Sequence, residues 1–213
     1  MSLLMYEVRD DHALIVSDTL VTEADRVTPV CYQSKVWLMP ERNMAMALTG
    51  TAEIGLGLFS LVQQEEALRD IEDVNEVAPL MLRHIRDELE KLRPDDDITT
   101  VYLFGFPTGS DRPASYTYTS RDGADFASKP GVVGNFAYRP GAQRFTPDYP
   151  VSAEDLVELA CKIREEQAQL RSEGLPFVRI GGELHATRIE NGQILTSVWH
   201  RFDDYDESLP SLF

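Results

Sequence analysis

The sequence predicts an α+β fold of antiparallel sheets covered by helices, and three observations predict it. Apolar runs of strand length arrive in clusters and do not alternate strictly with helices. Three longer segments repeat apolar residues at helical spacing. An Asn191-Gly192 turn near the end joins two strand-like segments, the strongest hairpin signal in the chain. Two helices fall as an adjacent pair and the third stands apart, which suggests two stacked sheets with helices on both outer faces. The 213 residues, 43% hydrophobic and 26% charged, suffice for one sizeable core, so a single domain over 1–213 is expected.

Leu3–Val8 and Ala13–Asp18 flank the polar Asp10-Asp11 turn and read as the first hairpin. Cys31–Met39 reads as a strand that Pro40-Glu41-Arg42-Asn43 turns into the apolar run Met44–Leu48. Thr49-Gly50-Thr51 breaks that run, and Ile54, Leu58, Leu61 and Val62 then mark a helix from Ala52 to about Ala67, with Thr51 as its cap. A second stripe runs from Glu76 to Arg93, where Pro94 stops it. Ile98–Phe106 and Ala114–Ser120 form the next strand pair, while Asp122–Pro150, rich in glycine and proline around 130–141, predicts little regular structure. Ser152 with Asp155 opens the third helix. Leu184–Ile189 and Ile194–Trp199 form the last hairpin, and a loose acidic tail is expected from 203 to 213.

The chain carries 36 Asp and Glu against 20 Lys and Arg, a net charge of −16. Such a chain repels phosphate backbones, and its cations form no basic run, so neither nucleic acid nor an anionic membrane surface is an expected partner. No apolar stretch reaches the roughly 18 residues of a membrane span, and the first residues show no basic segment followed by an apolar one, so neither a membrane span nor a secretory leader is expected. Cys31 and Cys161 lie far apart, without Cys or His at ligand spacing. Neither a disulfide framework nor a metal site is expected, and a reducing cytoplasm fits. Nucleophile elbow, phosphate loop, dinucleotide fingerprint and zinc-protease motif are all absent, so no cofactor is expected. Gly55-Leu56-Gly57 lies inside a helical stripe and reads as close packing.

The informative residues are Ala13–Thr19 with Asp18 at a strand end, Ser34-Lys35-Val36-Trp37, and Met44–Thr51 with Gly50 before a helix. Here the chain resembles proteasome β-type subunits and their bacterial relatives in the N-terminal nucleophile (Ntn) hydrolase superfamily. Gly181-Gly182 followed by Glu183–Ile189 resembles that family's late Gly-Gly-strand element. The resemblance extends over nearly the whole chain and implies a four-layer αββα sandwich, a peptide or other amide substrate, and a homo-oligomeric ring. Counting back from Asp18 by the family's spacing reaches Ser2, which removal of Met1 would expose.

The chemistry is coherent in its own right. A terminal amine with a pKa of about 7.7–8.0 is partly neutral near pH 7 and accepts a proton from a hydroxyl on the same residue. Ser2 would be nucleophile and base, Lys35 would lower the pKa of both groups, Asp18 would hold Lys35 charged and aimed, and the Gly50 N–H would stabilise an oxyanion. The chain departs from the family at three places. Gly134-Asn135-Phe136 stands for a Gly-Ser-Gly loop that supports the amine, and Phe177 and Ile180 stand where the family has Asp and Ser. These departures motivate an alternative: a catalytically inactive proteasome-like assembly or scaffold protein.

Overall fold

The computed structural model describes residues 3–23, 25, 27–92 and 98–205. It is a mixed α+β structure. The elements are β1 (Leu4–Val8), β2 (His12–Asp18), β3 (Leu20–Thr22), β4 (Pro29–Tyr32), β5 (Val36–Met39), β6 (Met44–Thr49), α1 (Ala52–Gln64) and α2 (Ile71–Leu92). There follow β7 (Thr100–Gly105), β8 (Ala114–Thr119), β9 (Lys129–Pro130), β10 (Phe136–Arg139), α3 (Ala153–Ser172), β11 (Glu183–Glu190) and β12 (Gln193–Arg201). One five-stranded sheet has the order β10-β1-β2-β11-β12, the other β5-β6-β7-β8-β9, and β3-β4 form a separate ribbon. Every pairing is antiparallel.

Strand alternation divides the apolar residues among three clusters. Met44, Met46 and Leu48 of β6 pack against α1 and α2. Met5 and Val16 pack against Leu156, Leu159 and Ile163 of α3. Leu4, Ala13 and Ile15 of the first sheet meet Ala45, Ala47 and Phe104 of the second. The Tyr6 ring lies 5.4 Å from that of Tyr102 and 5.1 Å from that of Phe104.

Several boundaries differ from the sequence reading, each for a physical reason. Cys31–Met39 is two strands, β4 and β5, because Ser34 and Lys35 break the ladder between them. α2 starts at Ile71, five residues earlier than Glu76. Asp70 caps it, its Oδ1 accepting from Glu72 N (2.9 Å) and Asp73 N (3.1 Å) while Oδ2 accepts from Thr108 N (2.6 Å). α1 ends at Gln64, where Arg42 donates to Val62 O (3.0 Å) in its last turn and to Leu68 O (2.6 Å) in the segment that follows. Thr51 is its N-cap residue, but no side-chain cap bond forms. β9 and β10 arise within the stretch read as irregular, as edge strands of the two sheets. The Ser152–Asp155 capping box and the Asn191-Gly192 hairpin stand as read. Of the acidic tail, Asp204 pairs with Arg164 (3.1 Å) and Tyr205 stacks on Tyr32 (4.9 Å). Residues 206–213 lie outside the described residues.

Candidate functional site

At one end of both sheets the start of β1, the end of β2, the start of β5 and the turn before β11 converge on a single carboxylate. β2 is buried along most of its length, so its terminal Asp18 is fully enclosed. Its Oδ1 accepts from Lys35 Nζ at 2.7 Å and from Leu3 N at 2.9 Å, and its Oδ2 accepts from Gly181 N at 3.2 Å. An enclosed charge persists only when paired and hydrogen-bonded. The Lys35 ammonium and two backbone N–H groups satisfy that requirement here.

Lys35 is 8% exposed. Burial pushes its ammonium below the ordinary lysine value, while the Asp18 charge pulls it back up. Burial likewise raises Asp18, opposed by Lys35 and by the N–H groups of Gly181 and Leu3. The result is a desolvated cation held in one place, able to depress the pKa of any amine or hydroxyl brought beside it.

Gly50 lies at the same end of the second sheet. The β5–β6 register pairs Val36 with Ala47, so Lys35 lies across from Leu48, two residues before Gly50. Gly50 has φ +107°, and a Cβ there would meet Ile98 O and come within 2.7 Å of Thr99 Cα. Only glycine fits this bend between β6 and α1. The next amide, Thr51 N, donates to Thr99 Oγ1 (3.0 Å).

Asp18 and Lys35 are therefore in direct contact, Gly50 shares their end of the molecule, and Ser2 lies outside the described residues. Asn135 is elsewhere. β10 pairs with β1 so that Phe136 faces Glu7 and Arg139 faces Leu4, which puts Gly134-Asn135 at the far end of β1 from Asp18. Gly134 N donates to Val8 O (2.7 Å) there. A β1 span of this length is on the order of 15 Å, so Asn135 does not support groups beside Asp18. Ile180 is buried in the α3 core, and Phe177 lies beneath Arg171 (5.7 Å).

The sequence reading missed the backbone donors that close on Asp18. The Gly181-Gly182 pair was their available signal: a Cβ on Gly181 would come within 3.0 Å of Asp204 Cγ, and one on Gly182 within 2.5 Å of Tyr32 Cδ1. Thr19 also contributes, its Oγ1 accepting from Glu183 N (2.8 Å). Ser17 was missed as well. It is buried, cross-strand from Leu4 and His185, and its Oγ has no hydrogen-bond partner among the described residues.

Of the histidines, His12 contacts Asp11 (2.7 Å), His185 contacts Glu183 (3.0 Å), and His200 approaches Cys161 Sγ (3.9 Å). Among the described residues no three His, Cys, Asp or Glu side chains cluster to hold a metal ion. Both cysteines are free thiols. No described helix is long and apolar enough to cross a membrane.

No family model matches the chain, and no curated protein matches it. Among solved structures it is similar to the Anbu (Gly-1) mutant from Hyphomicrobium sp. strain MC1, with a TM-score of 0.67. That match covers 99% of this chain and 92% of the other at 10% identity. Anbu is a proteasome-like protein of the Ntn hydrolase family. At this identity the likeness is one of fold.

Proposed function

We propose that this chain is a single four-layer αββα domain of proteasome-like Ntn type that hydrolyses a peptide or other amide bond, with Ser2 as nucleophile. The observation that carries the reading is the buried contact of Lys35 Nζ with Asp18 Oδ1 at 2.7 Å, on the same oxygen that accepts from Leu3 N. Leu3 N is the atom to which residue 2 is bonded, so the second residue joins the chain beside a fixed cation. The three clusters, one between the sheets and one under each set of helices, support the layering.

Once Met1 is removed, the Ser2 amine takes the proton from the Ser2 hydroxyl as its Oγ attacks the substrate carbonyl carbon. Lys35 keeps the amine's pKa low enough for it to be neutral, and Asp18 fixes Lys35. The Gly50 N–H donates to the oxyanion of the tetrahedral intermediate. Collapse passes the proton to the leaving amine and leaves an ester on Ser2, which water cleaves with the terminal amine again as base. Family resemblance adds a homo-oligomer and a cytoplasmic setting to the proposal.

The test is to sequence the N-terminus of purified protein and to assay fluorogenic peptides with wild type, Ser2→Ala and Lys35→Ala. Loss of turnover in both variants is expected, at unchanged particle size. Fully active protein that retains Met1 refutes the Ser2 assignment.

A second reading, a non-catalytic proteasome-like scaffold, is favoured by Phe177 and Ile180, whose side chains offer no hydrogen bond, and by the remoteness of Asn135. It expects a large particle by size exclusion that a mechanism-based probe for N-terminal Ser or Thr fails to label.

A further inference from the structure

The first sheet has five strands, roughly 20 Å across, and α3 is the helix packed on its outer face among the described residues. One helix with side chains is about 10 Å wide and, among the described residues, part of that face is left uncovered. The gap is a cavity of about 370 Å³ between the sheet, the first turns of α3 and the chain that leads into them. Its apolar walls include Leu14, Val16, Leu156 and Trp199. At its edge Leu195 is 50% exposed and Val151 85%. A cavity of this size and composition is typical of a small-molecule site.

The polar groups in its lining are unequal in what they still offer. Both Glu7 oxygens are occupied, Oε1 by Arg9 Nε (2.7 Å) and Oε2 by the Tyr149 hydroxyl (2.6 Å). Ser152 is committed to the capping box of α3, which already carries Asp155 at that helix end. Arg9 and Arg188 also line the cavity, and each meets its carboxylate, Glu7 or Glu190, through Nε at 2.7 Å. A guanidinium has five N–H donors. The capacity left over is therefore donor capacity, two cationic forks at an apolar cavity in a chain of net charge −16.

We propose that this cavity binds an apolar monocarboxylate of medium chain length, its tail against Leu14, Val16 and Trp199 and its carboxylate on Arg9 and Arg188. This site is independent of the hydrolase reading.

The test is titration of the intact protein with decanoate and with decanol, followed by calorimetry and by Trp199 fluorescence, with Trp199→Phe identifying the source of the signal. Wild type binds decanoate at least ten-fold more tightly than decanol. Arg9→Gln combined with Arg188→Gln abolishes that difference and leaves decanol affinity unchanged; Arg188 is exposed and the Arg9 side chain is 42% exposed, so a folded variant tolerates both changes. Ser197→Leu, which fills the cavity from an exposed strand position, blocks both probes. Equal affinity for the two probes, unchanged decanoate binding in the double variant, or no binding at all overturns the proposal. So does a Trp199 signal that varies with protein concentration in the absence of either probe, because it marks the cavity as a contact between copies of the chain.

Discussion

Lys35→Met removes the cation from a carboxylate with no exposure to water and leaves the rest of the fold in place. Asp18 then keeps two backbone N–H donors, from Leu3 and Gly181, and loses its counter-charge. Breaking a buried pair from one side costs about 3–5 kcal/mol, a large part of the ~5–15 kcal/mol that holds a domain together. At roughly 2–4 °C per kcal/mol for a chain of this size, the melting temperature falls by about 6–20 °C. Its pH dependence identifies the cause. Without Lys35 the folded pKa of Asp18, already raised by burial, rises further above its unfolded value. Between those two values the folded state binds more protons than the unfolded one, so stability falls as pH rises and returns as pH is lowered through the folded pKa. Thermal unfolding by circular dichroism from neutral to mildly acidic pH measures both effects. Lys35→Met/Asp18→Asn, which leaves no buried charge, recovers part of the loss at neutral pH. A Lys35→Met variant that melts within 2 °C of wild type at every pH, and is indifferent to Asp18→Asn, would refute the claim that this pair is desolvated.

Gly50→Ala places a methyl group against Ile98 O and Thr99 Cα at a left-handed φ. A loss of about 3 kcal/mol or more is expected by urea titration, and an unchanged midpoint would contradict the bend. Ser17→Ala deletes a buried hydroxyl without a partner among the described residues, so it raises stability by about 1 kcal/mol; destabilisation of that size would reveal a hidden partner. Asp70→Ala removes the cap of α2 and the tie to Thr108, and costs about 1–2 kcal/mol at pH 7. Burial pulls Asp70 up, but its hydrogen bonds from Thr108, Asp73 and Glu72 outweigh it and hold the carboxyl below the ordinary range. Its contribution is therefore fully present above the unfolded value and is lost as pH falls through the folded one. Wild type and variant should converge on acidification, and a gap that widens with acid would be inconsistent with that sign.

Local pattern made much of this molecule legible. The β1–β2 and β11–β12 hairpins, the breaks at Gly50 and Pro40, and the capping box at Ser152 all depend on residues within a few positions of one another. The Asp18 and Lys35 pair was legible only through the family resemblance, since each alone reads as an ordinary charge at the end or the start of a strand. The start of α2 at Ile71 is marked by Asp70 with Glu72 and Asp73, a helix-start signature that the regular apolar stripe from Val77 does not include.

Other features depend on long-range register, which residue order does not reveal. β10 pairs with β1 across more than a hundred residues, and that register, not the Gly-Asn-Phe string, sends Asn135 to the wrong end for chemistry at Asp18. Arg42 reaches the last turn of α1 from a turn twenty residues away, and Gly181 reaches Asp18 only because β11 lies beside β2. The sequence by itself determined the three helices, the first and last hairpins and the net negative charge, since those follow from side-chain chemistry and short-range backbone preference. The tertiary structure alone decided which donors surround Asp18 and which face of the first sheet is left open among the described residues. Both follow from how strands separated along the chain align when they exclude water together.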